Sequence, residues 1–383
     1  VDADYFIAVA RSLLAGAGEQ REDANSDPPG TIPAVASVFG QDDRVAQTLA
    51  AYPETHPAHV PAIIAEHFYA ADEEFDALPH ALAAGDAARG LYGPDEAERF
   101  YLRAIESLQK LRDTDTVTRT LMKLGLVYMA AFQADKARNV YEQAFKHWEQ
   151  LRANNQVSTR SATLSVATGE PLNLDPGRTY DTDSAFYQRQ LFSGLVEVDE
   201  ETNVLPAIAS RWQVSADGRT YTFFLRPDAR WSDGTPLTAK HFVYAWRRNL
   251  SPTLGSQAAA LLDVLENARA YRLGRTSAEE LGVRAKGNHE LEVRLAAPVG
   301  YLLQLLAHPI AAPLPSWLID RRGNSWAAPE SIVSNGAFKV TRWVHGQVIE
   351  MEHNDYDVAL SRGNVCQLRC RIFHDYRDAL EAY

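Results

Sequence analysis

Residues 231–246, WSDGTPLTAKHFVYAW, combine a tight turn with the start of a helix. The pair Asp233-Gly234 predicts a turn between two strands, because both residue types accept the backbone angles of tight turns. Thr238 then stands at a helix N-cap position, and the helix is predicted to run through Trp246. This stretch therefore predicts a strand–turn–helix unit, and the sequence on either side of it decides the fold class.

Strand-like segments surround this unit from residue 160 onward. In each of them apolar or β-branched residues alternate with polar ones, as in half-buried strands. The segments are Ala162–Thr168, Thr220–Arg226, Leu291–Leu295 and a hairpin over Phe338–His353 that turns at His345-Gly346. Because helices are interspersed with these strands, residues 160–383 are predicted to be mixed α/β.

Short motifs follow one another through the same half of the chain. In order they are Asn173-Leu174-Asp175-Pro176, Gln190–Leu195, Leu205–Trp212, Asp217-Gly218, Phe224-Leu225-Arg226, Trp231–Ala239, Phe242–Trp246, Pro298-Val299, Val333–Phe338 and Asn354-Asp355-Tyr356. This ordered set resembles the extracytoplasmic solute-binding proteins of ABC transporters, in the oligopeptide- and dipeptide-binding family (family 5). The resemblance covers residues 160–383 and is greatest to the oligopeptide-binding branch.

The resemblance implies a clamp of two lobes that closes on its ligand. In peptide-binding members the ligand lies extended and pairs its backbone with strand-like segments of both lobes. Residues 160–383 correspond to the first lobe, and the helix predicted near Asp375–Tyr383 is similar to the one that leads into the second. We therefore expect the second lobe to be missing from this sequence, and the fragment alone to bind peptides poorly.

The resemblance also implies where a ligand would be held. The family's contacts from this lobe come largely from the loop after Leu-Asp-Pro, which here contains Tyr180, Asp181, Thr182, Asp183 and Ser184. A solvated loop with an Asx turn is the alternative, and a calcium loop is a weaker one because the Gly and the terminal Glu are absent. Asn335 and Gly336 lie near the hinge in the family, where Gly336 is expected to allow a special backbone angle or a close approach.

The first 155 residues show helical periodicity instead. Small and aromatic residues recur at the offsets of a tetratricopeptide repeat, at Leu124, Gly125, Tyr128, Ala137, Tyr141 and Ala144, and again at Gly85, Ala97, Tyr101 and Ala104. The interval from Gly85 to Gly125 exceeds the usual repeat of about 34 residues, and we expect the polar loop over 113–116 to absorb the excess. The predicted fold class is therefore an all-α tetratricopeptide-like region over 1–155, clearest over 81–151, followed by the α/β lobe over 160–383.

Charge differs between the two halves of the chain. The sequence has 38 basic and 50 acidic residues, for a net charge of −12. Residues 1–158 hold 24 acidic and 14 basic side chains, a net of −10, which leaves −2 for the remainder. This acidity argues against a nucleic-acid partner, and the asymmetry suggests two units with different roles.

Neither metal binding nor catalysis is predicted. Cys366 and Cys370 lie in an alternating strand pattern that holds their Cα atoms about 13 Å apart, too far for a disulfide, so both are interpreted as small core residues. His56, His59 and His67 have no metal-ligand spacing. No serine-hydrolase, phosphate-loop or metalloprotease motif occurs, and we expect no cofactor and no enzymatic activity.

Two functions remain open from the sequence. The first is the binding component of an ABC transporter, which delivers oligopeptides to permease subunits in the membrane. The second is a peptide sensor or scaffold whose helical repeats bind another protein, as such repeats often do. The resemblance implies an extracytoplasmic location, although no signal peptide precedes the apolar segment at Tyr5 and the start is expected to be internal to a longer protein.

Overall fold

The computed structural model describes residues 36–51, 60–154, 161–179, 181–199, 201–358, 364–373 and 375–381. These residues divide into two compact units, one ending at Val127 and one beginning at Tyr128. Tyr180, His56, His59 and the segment 155–160 lie outside the described residues. None of the described helices is both long enough and apolar enough to cross a bilayer.

The part of the chain described up to residue 154 is helical. Its helices are α1 (Ala36–Ala50), α2 (Pro61–Ala70), α3 (Glu74–Gly90), α4 (Pro94–Leu111), α5 (Thr114–Ala130) and α6 (Ala134–Asn154). The last four begin at equal intervals, at residues 74, 94, 114 and 134. A residue with left-handed backbone angles precedes each of these starts by two positions, namely Asp72, Tyr92, Arg112 and Phe132. One pair of helices therefore accounts for the interval from Gly85 to Gly125 found in the sequence.

The predicted small-residue contacts are present in the first unit. Tyr101, Ala97 and Ala104 have no exposed surface. A Cβ on Gly85 would lie 2.5 Å from the Tyr101 ring, so glycine is what lets α3 and α4 approach this closely. The tetratricopeptide assignment itself stays a prediction, because these contacts would suit any pair of closely packed helices.

One expectation about the repeats is wrong. The segment 113–116 does not form an additional loop, because α5 begins at Thr114. The carboxylate of Asp113 accepts hydrogen bonds from the backbone N–H of Thr116 at 3.1 Å and from its hydroxyl at 2.7 Å, as an N-cap does. The extra residues of the longer repeat instead lengthen the helices, and α3 and α6 have 17 and 21 residues.

The described part of the second unit contains two four-stranded sheets and a hairpin. The strands are β1 (Ala162–Thr168), β2 (Val196–Val198), β3 (Val204–Pro206), β4 (Ala209–Val214), β5 (Thr220–Leu225), β6 (Val283–Ala285), β7 (Glu290–Arg294), β8 (Phe338–Val344), β9 (Val348–His353) and β10 (Val365–Ile372). One sheet has the order β1-β10-β9-β8, with β1 parallel to β10 and the other pairs antiparallel. The other has the order β4-β5-β7-β6 and is antiparallel throughout, and β2 pairs with β3 alone.

Further helices accompany these strands. They are α7 (Thr182–Leu191), α8 (Ala239–Leu250), α9 (Ala268–Arg272), α10 (Leu302–Leu306), α11 (Ser316–Arg322) and α12 (Tyr376–Glu381). The mixed α/β prediction is confirmed, including the cap of α8, where Thr238 and His241 form a capping box. The predicted turns are also present, with left-handed glycines at Gly218, Gly234 and Gly346.

Helix α6 packs within the second unit, although its sequence pattern placed it with the first. Its aromatic residues contact Trp212 on β4, with ring centroids 5.3 Å away for Tyr141 and 4.7 Å for Phe145. Helical periodicity shows that a helix has an apolar face, but it does not show what covers that face. The domain boundary at 155–160 stays a prediction, while the compact units divide at 127/128.

Candidate functional site

The predicted ligand loop ends in a helix. Asp181 is the N-cap of α7, and its carboxylate accepts a hydrogen bond from the backbone N–H of Ser184 at 2.8 Å. Thr182, Asp183 and Ser184 therefore form the first helical turn. The Asx turn that the sequence left as an alternative describes this geometry.

The three residues of that turn differ in access. Thr182 and Asp183 are exposed, so both side chains can meet a ligand. Ser184 is fully buried, and its hydroxyl accepts hydrogen bonds from the backbone N–H groups of Leu172 at 3.0 Å and Asn173 at 3.4 Å. Ser184 thus fastens α7 to the Asn-Leu-Asp-Pro segment, which is a structural role, and ligand contact at this loop stays a prediction.

Asn335 and Gly336 lie at the other end of α7. Both backbone N–H groups donate to the carbonyl of Leu191, at 3.0 Å and 2.8 Å. A Cβ on Gly336 would lie 2.7 Å from the carbonyl oxygen of Gln190, so this glycine permits a close approach of two backbones. The φ angle of Gly336 is not left-handed. Glycine is therefore needed at this position for the close approach of the two backbones and not for a special backbone angle.

Asn335 is almost fully buried. Its Nδ2 donates to the Ser193 carbonyl at 2.9 Å, whereas its Oδ1 finds no donor among the described residues. Helix α7 has 10 residues and is about 15 Å long, so the two groups of predicted site residues flank its opposite ends. The structure does not bring them into one cluster.

Between these groups lies an apolar pocket that sequence reasoning missed. Its volume is about 290 Å³. It is lined by Leu164, Val166, Phe186, Gln190, Ala337, Phe338, His353, Val365 and Leu368. These residues belong to β1, α7, the segment after Gly336, β8, β9 and β10, and none of the predicted site residues is among them. No pattern in the sequence marks this pocket, because its lining comes from separate segments; in the structure Leu164 on β1 leaves 48% of its surface exposed.

A hydrogen bond fixes α7 to the end of β1. The hydroxyls of Tyr187 and Thr168 lie 2.6 Å apart. Burial raises the pKa of Tyr187 above its usual value, so this phenol stays neutral and can serve as a hydrogen-bond donor. The hydrogen bond between Tyr187 and Thr168 therefore fixes the relative position of α7 and β1, which both line the pocket.

Asp175 of the Asn-Leu-Asp-Pro motif is a buried anchor. Its carboxylate accepts hydrogen bonds from two nitrogens of Arg248, from the indole N–H of Trp326 at 3.0 Å and from the backbone N–H of Gly177 at 2.9 Å. These contacts join the segment before α7 to α8 and to the turn after α11. The motif therefore anchors the segment that leads to Asp181.

The thiols and the other metal-ligating side chains do not form a metal site. Within the ranges described above, no group of three or more His, Cys, Asp or Glu side chains is placed to hold a metal ion. Both cysteines are free thiols on β10; Cys370 is fully buried, as predicted for a core residue, whereas Cys366 is only half-buried. Burial raises the pKa of the Cys370 thiol to about 11, so it is un-ionised near neutral pH.

Comparisons with known proteins support the resemblance found in the sequence. Residues 203–382 match the family model of bacterial extracellular solute-binding proteins, family 5 Middle. The periplasmic oligopeptide-binding protein OppA of Salmonella typhimurium is 36% identical over 204 residues, which are 53% of this chain and 37% of that protein. The probable deoxycholate-binding periplasmic protein YgiS of Escherichia coli is 39% identical over 187 residues, 48% of this chain and 35% of that protein.

Solved structures give the same result. Listeria monocytogenes OppA bound to peptide is similar with a TM-score of 0.56 and 27% identity, over 58% of this chain and 44% of that one. Haemophilus influenzae OppA in complex with the peptide RPPGFSPFR is similar with a TM-score of 0.56 and 30% identity, over 59% of this chain and 45% of that one. The chain thus spans a little over a third of the curated relatives' length and under half of the solved chains. By their names, these relatives are binding proteins.

Proposed function

We propose that this chain contributes a peptide-binding lobe to the binding component of an ABC transporter, because residues 203–382 match the solute-binding proteins of family 5. The observation that carries the proposal is the apolar pocket beside α7. It lies between the two groups of residues that the family resemblance implies for ligand contact, and an edge strand, β1, forms one of its walls.

Strand β1 offers what an extended peptide needs. Among the described strands it pairs only with β10, so its other edge presents backbone N–H and C=O groups. A peptide that adds along such an edge gains affinity from main-chain hydrogen bonds, while side chains enter shallow pockets with little selectivity. In this arrangement Leu164, Phe186 and Phe338 accept an apolar side chain of the peptide, and Thr182 and Asp183 meet its backbone or its amine.

Low affinity is expected for the 383-residue sequence alone. A pocket of 290 Å³ is at the lower limit for sites that enclose a small molecule, and it is lined from one lobe. A ligand covered on one side keeps much of its hydration and gains little to offset the entropy lost on binding. We therefore place its peptide dissociation constant in the range of roughly 1 mM, which corresponds to about −4 kcal/mol.

Calorimetric titration with a tripeptide tests the proposal. Ala-Ala-Ala is the probe, and the same peptide with N-methylated amides is the matched control because it keeps the side chains and loses main-chain donors. Binding of the first and not the second supports main-chain recognition. Equal binding of both, or binding of neither up to about 20 mM, contradicts it, because that concentration is well above the expected dissociation constant.

The sensor or scaffold function has a weaker basis. The regular spacing of the helix starts from 74 to 134 is what favours a protein partner for the helical region. The extracytoplasmic location is part of the main proposal, and it follows the periplasmic relatives rather than a feature of the described residues. Permease subunits are the partner that the transporter function requires.

A further inference from the structure

A second groove in the same unit is strongly basic. Its volume is about 910 Å³, and it lies where α8 faces β6 and the end of α11. Its charged lining residues are Arg178, Lys240, Arg247, Arg248 and Arg284. None of the described residues that line it is acidic. It shares no lining residue with the apolar pocket beside α7, so it is a separate site.

Part of this positive charge is neutralised from outside the groove. Asp175 lies behind it and pairs with Arg248, and more loosely with Arg178 at 3.7 Å. Glu279 stands 3.9 Å from Arg247 at the rim, which is too far for a hydrogen bond. Lys240 and Arg284 are exposed, and neither has a carboxylate within ion-pair distance in the described parts of the chain.

Two further features of the groove favour the binding of a negatively charged group. Lys240 lies in the first turn of α8, where the helix dipole is positive and acidic residues are favoured, yet this turn has no acidic residue. The Nε of Arg247 is buried and has no acceptor among the described residues. A buried donor without a partner is unfavourable, and the exposed third of the Arg247 side chain lines the groove, where it can pair with an anion.

We propose that this groove binds a small organic molecule that carries two or more phosphate or carboxylate groups. Guanidinium groups pair with both kinds of oxyanion in a bidentate way, and several of them around one groove favour a ligand with more than one such group. Val243, Leu254 and Tyr271 also line the groove and can contact the carbon skeleton of such a ligand. The volume falls within the range of small-molecule sites, about 300–1,000 Å³.

Calorimetric titration of the 383-residue chain with pyrophosphate and with citrate, at low ionic strength, tests this proposal. We expect saturable binding of at least one probe with one site per chain. The double variant Lys240→Gln/Arg284→Gln should weaken that binding at least tenfold. Both side chains are exposed and lack a carboxylate partner among the described residues, so the change leaves the fold intact. The control Arg269→Gln/Arg275→Gln removes the same charge from exposed positions outside the groove and should change the affinity less than twofold.

The outcomes separate the two ligand classes. Binding of pyrophosphate alone supports a phosphate ligand, and binding of citrate alone supports a carboxylate ligand. Absence of saturable binding by both probes overturns the proposal, and so does equal weakening in the two double variants, which would show general Coulomb attraction instead of a site. Peptide titration of the same Lys240→Gln/Arg284→Gln variant is expected to be unchanged, so failure here leaves the peptide proposal untouched.

Discussion

The carboxylate of Asp175 pairs with the guanidinium of Arg248 in the interior of the second unit, with Oδ1–Nη1 and Oδ2–Nη2 distances of 3.1 and 2.5 Å. The side chain of Asp175 is 2% exposed. Removing one partner of a buried pair leaves the other charge uncompensated, whereas the intact pair itself adds little net stability. This pair therefore fixes the position of the Asn-Leu-Asp-Pro segment more than it strengthens the fold.

We predict that Asp175→Ala lowers the free energy of unfolding by about 3–5 kcal/mol. The measurement is urea denaturation of the 383-residue chain, followed by tryptophan fluorescence, because Trp326 loses its acceptor at the same time. Asp228→Ala is the control, since Asp228 is exposed and its pair with Arg152 should contribute less than about 1 kcal/mol. Equal losses in the two variants would show that the buried pair has no special role.

A second prediction concerns pH and His241. Burial lowers the pKa of His241 from 6.5 to about 4, and its Nδ1 accepts the backbone N–H of Thr238 at 3.0 Å. The unfolded chain binds this proton near pH 6.5 and the folded chain only near pH 4, so stability falls as the pH drops through this window. The free energy of unfolding falls by on the order of 3 kcal/mol across this window, because each pKa unit corresponds to about 1.4 kcal/mol.

The control for His241 keeps the helix cap. In His241→Gln the side-chain oxygen can still accept from Thr238, as in a capping box, but it does not titrate. Unfolding free energies measured from pH 7 to pH 4 should therefore fall less steeply for the variant than for the native chain. Parallel curves for the two proteins would rule out His241 as the source of the acid sensitivity.

A third prediction tests the contact between α6 and β4. Phe145 packs edge-on against the buried Trp212, so Phe145→Ala removes a core aromatic and is expected to cost about 3–5 kcal/mol. Phe132→Ala is the comparison, because Phe132 is 67% exposed and the change should stay within about 0.5 kcal/mol. Urea denaturation of both variants measures the difference in unfolding free energy, from the midpoints and from the dependence of the free energy on urea concentration. A neutral Phe145→Ala would mean that α6 is not part of the second unit's core.

A fourth prediction concerns Gly336. The added Cβ of Gly336→Ala would meet backbone atoms of Gln190 and Leu191 at 2.7 Å, so the segment or α7 must move. We expect a loss of about 1–3 kcal/mol, which is typical of overpacking in a dense core. Gly90→Ala has free space around its Cβ and should be neutral or slightly stabilising. Thermal unfolding of the two variants decides whether the close approach matters.

The sequence predicted local structure well in the second unit. The turn at Asp233-Gly234, the cap at Thr238 and the hairpin at His345-Gly346 are set by short-range chemistry, and all three are present. The parallel pairing of β1 with β10 was not predictable. It joins Ala162 to Val365, which are far apart in the sequence, and an alternating pattern does not identify a partner strand.

The candidate site shows a similar limit. The family resemblance selected residues that lie at both ends of α7, but it could not show that Ser184 is buried or that Thr182 is helical. The apolar pocket was missed because its lining comes from separate segments that meet only in the folded chain. The basic groove was missed for the same reason, since its cations are spread from Arg178 to Arg284.

The most direct test of the peptide proposal is amide hydrogen exchange of the chain with and without saturating Ala-Ala-Ala. We predict slower exchange in three places, namely β1, the first turns of α7 and the segment that follows Gly336, with little change in α1 to α4. Protection confined to other parts of the chain, or no protection at any peptide concentration, would contradict the assignment of this lobe as a peptide-binding surface.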